Sequence, residues 1–293
     1  MPSLKEVKTR IVSVQSTRKI TSAMKMVASS KLHKAQQAIE SMRPYERQLS
    51  HIMTAFVSGL HGDVTTPLAT VRQPGHVVLV AVSSNSSLCG GFNANVIRKL
   101  RQTLDEYRQT GVEVSIIPIG RKVAEAVRRL GLTVDTDRAS LLDHPSYAEA
   151  AALVRGLMQQ FSEGSIDRVE LIYHHFKSTS RQILQRETLL PVTVDEDGQE
   201  GLSQGQSVAS TDYIVEPSAA EVLKRLVPQT LCLKLYAALL DSLASEHAAR
   251  VVAMQVATDN ADELLRDLTL QYNKSRQQAI TSELLDIAGG SLQ

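Results

Sequence analysis

An α/β fold is predicted for this chain: a long antiparallel coiled coil of the N- and C-terminal helices plus a central Rossmann-like α/β domain with a mainly parallel sheet. Three observations predict it. The first 43 residues are nearly free of helix breakers and carry heptad-spaced apolar residues. The last quarter has the same character over a longer run. Between them, β-branched apolar runs alternate with helical patterns, as in βαβ units.

The first helix has no Gly or Pro between Ser3 and Arg43. Leu4, Val7, Ile11 and Val14 repeat at the spacing of a coiled-coil seam. The count continues over Arg18, Thr21 and Lys25, then over Ala28, Leu32, Ala35, Ile39 and Met42. The seam is thus polar for about two turns. Within that interval, in "KITSAMKMV", the apolar residues Ile20, Met24 and Val27 lie about 120° round the helix from the seam. Arg18, Lys19, Lys25 and Lys31 ring this second face. One face therefore pairs with a helix. The other is covered by another element of the chain or meets something outside it.

The last helix is predicted from Pro217, a good first helical residue, to about Ala288. No Gly occurs between Gly205 and Gly289, and only Pro228 can kink the run. Val251, Met254, Ala261, Leu265, Leu268 and Tyr272 mark its seam. Seventy residues of helix reach roughly 105 Å, too long to pack within a domain of radius about 13 Å. The helix is a shaft or part of one, and it outruns the first helix. Residues after about Gln277 are therefore expected to stand without a partner helix in this chain.

In the centre, "HVVLVAVSS" (76–84) is a continuous apolar run, the mark of a strand buried on both faces. A helix over 93–110, a strand over 112–120 and a helix over 121–130 follow. After "LTVD" come a helix over 146–161 and the strands "VELIYHHF" and "QILQRETLLPV". Residues 195–212, rich in Gly, Gln, Ser and acids, read as a loop. The expected organisation is an N-terminal helix over 1–60, an α/β domain over 75–195, a loop over 196–212 and the C-terminal helix over 213–293.

Composition narrows the function. The 293 residues carry a net charge of +1, 4% aromatics and no Trp, which argues against a globally basic nucleic-acid binder or a base-stacking platform. Residues 1–48, however, hold ten basic and three acidic residues, a local charge of +7. Two cysteines, Cys89 and Cys232, make a disulfide framework or cysteine metal site improbable and point to a reducing compartment. No stretch of 18 apolar residues is present, and the start lacks the apolar region of a signal peptide.

"SLCGGFN" follows the first central strand and opens a helix, where a phosphate loop would sit, but it has neither dinucleotide nor P-loop spacing. Two adjacent glycines there read as a tight strand-to-helix turn. Cys89 has no local base. His174 and His175, adjacent in a strand, face opposite sides and do not share a metal. Glu246 and Arg250 have the spacing of a helix ion pair. No set of acid, base and nucleophile stands out, so no catalytic residue, cofactor-binding residue or metal ligand is assigned.

"TRKITSAMKMVASSKL", "LCGGFN", "YIVEPS" and "SEHAARVVAMQVATDNADELLRDLTLQYNKSRQQAITSELLDI" closely resemble the gamma subunit family of F-type ATP synthases. The resemblance covers both ends and the middle, in order. It implies a central rotor shaft coupling rotation of a membrane c-ring to ATP synthesis or hydrolysis at beta-subunit sites. The implied partners are three alpha and three beta subunits, an epsilon subunit and the c-ring, with no nucleic acid. ATP, ADP and magnesium belong to the neighbouring subunits. The implied rotor–stator contacts are Ile20, Met24, Lys25, Val27, Arg250, Gln277, Thr281 and Glu283; Tyr213 and Glu216 are implied to lie near the c-ring. Asn85, Ser86 and Ser87 depart from the family's usual Asp, Arg and Gly, so no contact of that loop is carried over. The cysteine-bearing insert of chloroplast relatives is missing. With no transit peptide, the expected place is the cytoplasmic face of a bacterial plasma membrane, held there through the complex. The competing readings are a nucleotide-binding α/β enzyme and a coiled-coil scaffold with a basic arm.

Overall fold

The computed structural model describes residues 3–59, 67–132, 138–192, 216 and 218–290. These divide into two units, one of residues 1–30 and 250–293, the other of residues 31–249. Two long helices contribute to both: α1 (Leu4–Gly59) and α6 (Ala219–Gly290). Ser3 caps α1, its hydroxyl accepting the Glu6 N–H, and Ser218 does the same for Glu221 at the head of α6. Pro217, expected to open α6, lies outside the described residues, as do Tyr213 and the 195–212 loop. Pro44 stands inside α1 and Pro228 inside α6. Each removes a single backbone bond, and neither ends its helix.

In the first unit the helices are antiparallel. Arg18 meets Asp262, Thr21 meets Thr258 and Lys25 meets Gln255, so numbers rise along one helix as they fall along the other. Val7, Thr21 and Ala28 are buried on α1, and Met254, Ala261 and Leu268 on α6. These are the residues the heptad count selects.

The second unit is built on a four-stranded sheet of order β2-β1-β3-β4. β1 (His76–Val82) pairs in parallel with β2 (Glu113–Ile119) and with β3 (Arg168–Ser178). β4 (Arg181–Leu190) returns antiparallel from β3 as a hairpin. Helices cover both faces. Val77, Leu79 and Ala81 pack with α2 (Phe92–Gln109) and α3 (Arg121–Arg129). Val78, Val80 and Val82 pack with α5 (Tyr147–Ser162) and with Leu231, Leu235 and Leu239 of α6. β1 is buried on both faces because crossovers lie on both sides of a parallel sheet. A window of α6 reaches a mean hydropathy of 1.2 with half of it buried, as expected of a helix on which a core is built.

Strand β1 is shorter than expected because Ser83 and Ser84 leave the ladder for the turn. Ser83 N–H still donates to Ile119 O, but its hydroxyl accepts the Val123 N–H at 2.8 Å. This draws β1 so close to Gly120 that a Cβ there would lie 2.0 Å from Ser83 O; Gly120 also has φ of +101°. The short α4 (Ser140–Asp143), absent from the sequence reading, buries Leu141 and Leu142. Four residues are too few to register as a helical period.

Candidate interaction surfaces

The polar interval of α1 is a paired seam, not a break in it. Thr21 and Thr258 hydroxyls share a hydrogen bond of 2.8 Å, each also donating to its own helix backbone in the alternative orientation. Lys25 Nζ donates to Gln255 Oε1, and Gln255 in turn donates to Asp259 at 2.8 Å. Arg18 and Asp262 form an ion pair of 2.6 Å at the half-exposed edge. Hydrogen bonds of this kind contribute about 1 kcal/mol each, and exposed ion pairs less. Their value lies in register: a slip by one turn would set Thr21 against Met254 or Ala261.

Of the implied contacts, Lys25 makes this seam bond. It belongs to the seam and faces the partner helix, half-buried, whereas Ile20 and Val27 face outward at 59% and 58% exposure. Met24 is half-buried between the two faces, and Met26, not selected from the sequence, is exposed. Arg250 is a second implied contact. It is only 8% exposed, because it stands one turn ahead of Met254 on the buried row of α6. Gln277, Thr281 and Glu283 are exposed. Glu216 is exposed; Tyr213 lies outside the described residues.

The far end of α6 has no counterpart on α1, which starts at Leu4. Tyr272, Ser275 and Ala279 are half-buried, and from Ile280 onward each described side chain is exposed. Ile280, Leu284, Leu285 and Ile287 thus form an uncovered apolar run, Ile287 at 71%. Val12, Val252, Val256, Leu264 and Leu270 are exposed along the same helix pair. The sequence reading missed these five. The signal that finds them is apolar character one or two places off the heptad positions, where a coiled coil surrounded by water carries charge.

The glycine turn is filled by its own side chains. Asn93 accepts the Ser84 N–H at 3.0 Å and donates to Ser84 Oγ at 2.8 Å, in front of α2. Cys89 is buried beside them. Leu88 sits there with φ of +66° and an exposed side chain. His174 stacks on Phe92 with ring centroids 4.4 Å apart, and burial pulls its pKa down to about 4, so it is neutral. His175 faces the other way, to Asp241. Elsewhere, buried Glu170 accepts from Arg186 Nε at 2.7 Å and from Tyr107 Oη at 2.6 Å. Arg186 also reaches Glu106, closing the network at the wall of an open cleft. Among the described residues, no three His, Cys, Asp or Glu side chains are grouped as metal ligands.

Fold and surfaces together define a class: an α/β sheet protein whose terminal helices form a polar-seamed antiparallel pair with uncovered apolar faces. A sequence model of the ATP synthase family matches residues 3–292. The ATP synthase gamma chain of Bacteroides thetaiotaomicron is 59% identical over 300 residues, covering 100% of both chains. That of Parabacteroides distasonis is 45% identical over 99% of both. Among solved structures, a chain of the Euglena gracilis mitochondrial ATP synthase OSCP/F1/c-ring assembly superposes with a TM-score of 0.67 at 21% identity, over 99% of this chain and 93% of that one. The chain belongs to the ATP synthase family, among its gamma chains.

Proposed function

We propose that this chain is the central rotor shaft of a proton-translocating F-type ATP synthase, coupling rotation of a membrane c-ring to ATP synthesis and hydrolysis at beta-subunit sites. It works mechanically and supplies no catalytic group. Its partners are three alpha and three beta subunits, an epsilon subunit and the c-ring, and nucleotide and magnesium stay on the alpha and beta subunits. It reaches the cytoplasmic face of the bacterial plasma membrane only through that complex, with Tyr213 and Glu216 toward the c-ring.

The observation that carries this reading is the helix pair itself. Its two helices are locked in register by polar seam contacts, yet apolar residues remain uncovered around it and at its end. A rotor must be stiff within and must slip past its surroundings without a deep energy minimum at any one angle. Scattered apolar contacts suit that task, whereas a large interface with concentrated anchors would hold one angle. Ile20, Met24 and Val27 are the side contacts and Gln277, Thr281 and Glu283 the end contacts with the surrounding subunits. Lys25 and Arg250 act from within the helix pair.

Affinity purification through a tag on this chain, from its own cells, tests the reading. Alpha and beta subunits in the eluate, with ATP turnover that a c-ring blocker suppresses, are the expected result. A chain that purifies free of both subunits overturns it.

A further inference from the structure

The junction of α1, α6 and β3 in the second unit changes character along its length. Ala35, Ile39 and Phe176 pack dry against Leu240, Ala244 and Ala248. Two turns beyond Ile39 along α1 the contact becomes ionisable. There Glu46 is half-buried, and β3 turns His175 toward α6, where its Nδ1 bonds Asp241 Oδ2. The other charged groups facing this cluster are Arg43 of α1, Glu187 of β4 and, paired with Glu187 at 3.5 Å, Lys234 of α6. Tyr173 completes it from β3; burial raises its pKa, so it stays neutral.

We propose that this cluster is a proton-operated clasp, in which protons held by His175 and Glu46 close the end of the α1–α6–β3 junction and their loss loosens it. With both protons in place, three cations face the carboxylates of Asp241 and Glu187. Without them, two cations face three carboxylates, and Glu46 and Asp241 repel each other across the helix contact. The change needs no movement of the dry part of the junction, so loosening is confined to α1 beyond Met42.

The two titrations have the same sign. The bond to Asp241 is the first cause that raises His175 above its ordinary 6.5, and burial is the first that raises Glu46 above its ordinary 4.5, followed by Asp241. Both groups bind a proton more tightly in the closed junction than in the open chain, so acid favours closure. The His175 contribution is complete below pH 6.5 and is lost as pH rises through its raised value. The Glu46 contribution is complete below pH 4.5 and is lost as pH rises through its own. His174, on the opposite face of the strand, is held neutral by burial and takes no part. This inference concerns the chain's own packing and is independent of the rotor reading.

The test is histidine NMR and amide hydrogen exchange on the full-length chain between pH 5 and pH 8. In the wild type, His175 is expected to titrate above 6.5. After correction for intrinsic exchange, amides of residues 43–49 should lose protection about threefold or more on going from pH 5.5 to pH 8, while those of residues 32–39 hold theirs. His175→Gln should remove the upper part of that dependence, and Glu46→Gln should keep the segment protected to higher pH. A His175 that titrates at or below 6.5, or pH profiles unchanged in both variants, overturns the clasp. The wild-type titration decides alone if a variant does not fold.

Discussion

Two residues show how position overrides residue type. Lys25 is basic and lies in a basic stretch, so its type suggests an outward charge. Its place on the heptad puts it against Gln255 instead, where the long stem packs in the seam and the ammonium finds an acceptor. Glu170 is the reverse case: a carboxylate 3% exposed in a sheet, tolerated because Arg186 and Tyr107 satisfy it. Arg186→Met should therefore lower the stability of the chain by about 3 kcal/mol, since it strips buried Glu170 of its hydrogen-bonded cation and leaves only the looser pair with Arg168 at 3.8 Å. Glu170→Gln combined with Arg186→Met should cost less than the single arginine change. Urea unfolding followed by circular dichroism measures both, and a single change costing no more than the pair would mean that the network carries no strain of unpaired charge.

For the elements, pairing matters more than propensity. α6 is 72 residues long and α1 56, so part of α6 must lie unmatched by α1. Beyond Ala279 each described side chain of the helix is exposed, and a lone helical end is marginal in water. Truncation after Ser282 removes Leu284, Leu285 and Ile287, all exposed. The melting temperature of the isolated chain should stay within about 2 °C of wild type, the shift that a surface change of a few tenths of a kcal/mol produces. In the assembled complex the same truncation should leave assembly intact and reduce coupled turnover. A clear loss of stability in the isolated chain would show that the end packs on this chain. The clasp at His175 belongs to this scale too, since one patch sets how far α1 stays attached.

At the scale of the whole molecule, the question is what the chain does alone and what it does in company. Purified by itself it should hydrolyse no ATP above a mock preparation, because the proposed catalysis resides in other subunits; turnover that follows the chain through purification would end the rotor reading. The outward face gives the complementary prediction. Ile20→Asp with Val27→Asp changes two exposed residues, so the isolated chain should keep its stability within about 0.5 kcal/mol. The complex carrying it should pump fewer protons per ATP hydrolysed. Lys25→Glu should instead weaken the helix pair in the isolated chain, by about 1 kcal/mol from the lost seam bond. Equal effects of the two changes on stability would mean that both faces are buried.

Periodicity made much of the fold legible. The heptads of residues 4–42 and 251–272 selected the buried seam, and the apolar run at 76–84 announced a strand covered on both faces. Alternation along "YHHF" also separated His174 from His175. These patterns are local consequences of 3.6 and 2 residues per repeat, so the chain carries them before it folds. The family was readable as well, from stretches near both ends. What the tertiary structure decided is which surface each pattern meets. Nothing local sends His175 to Asp241, pairs Thr21 with Thr258, or buries Arg250 while leaving Ile20 in the open. Each of those depends on a residue far away in sequence, and a side chain's environment is set by what the fold brings beside it.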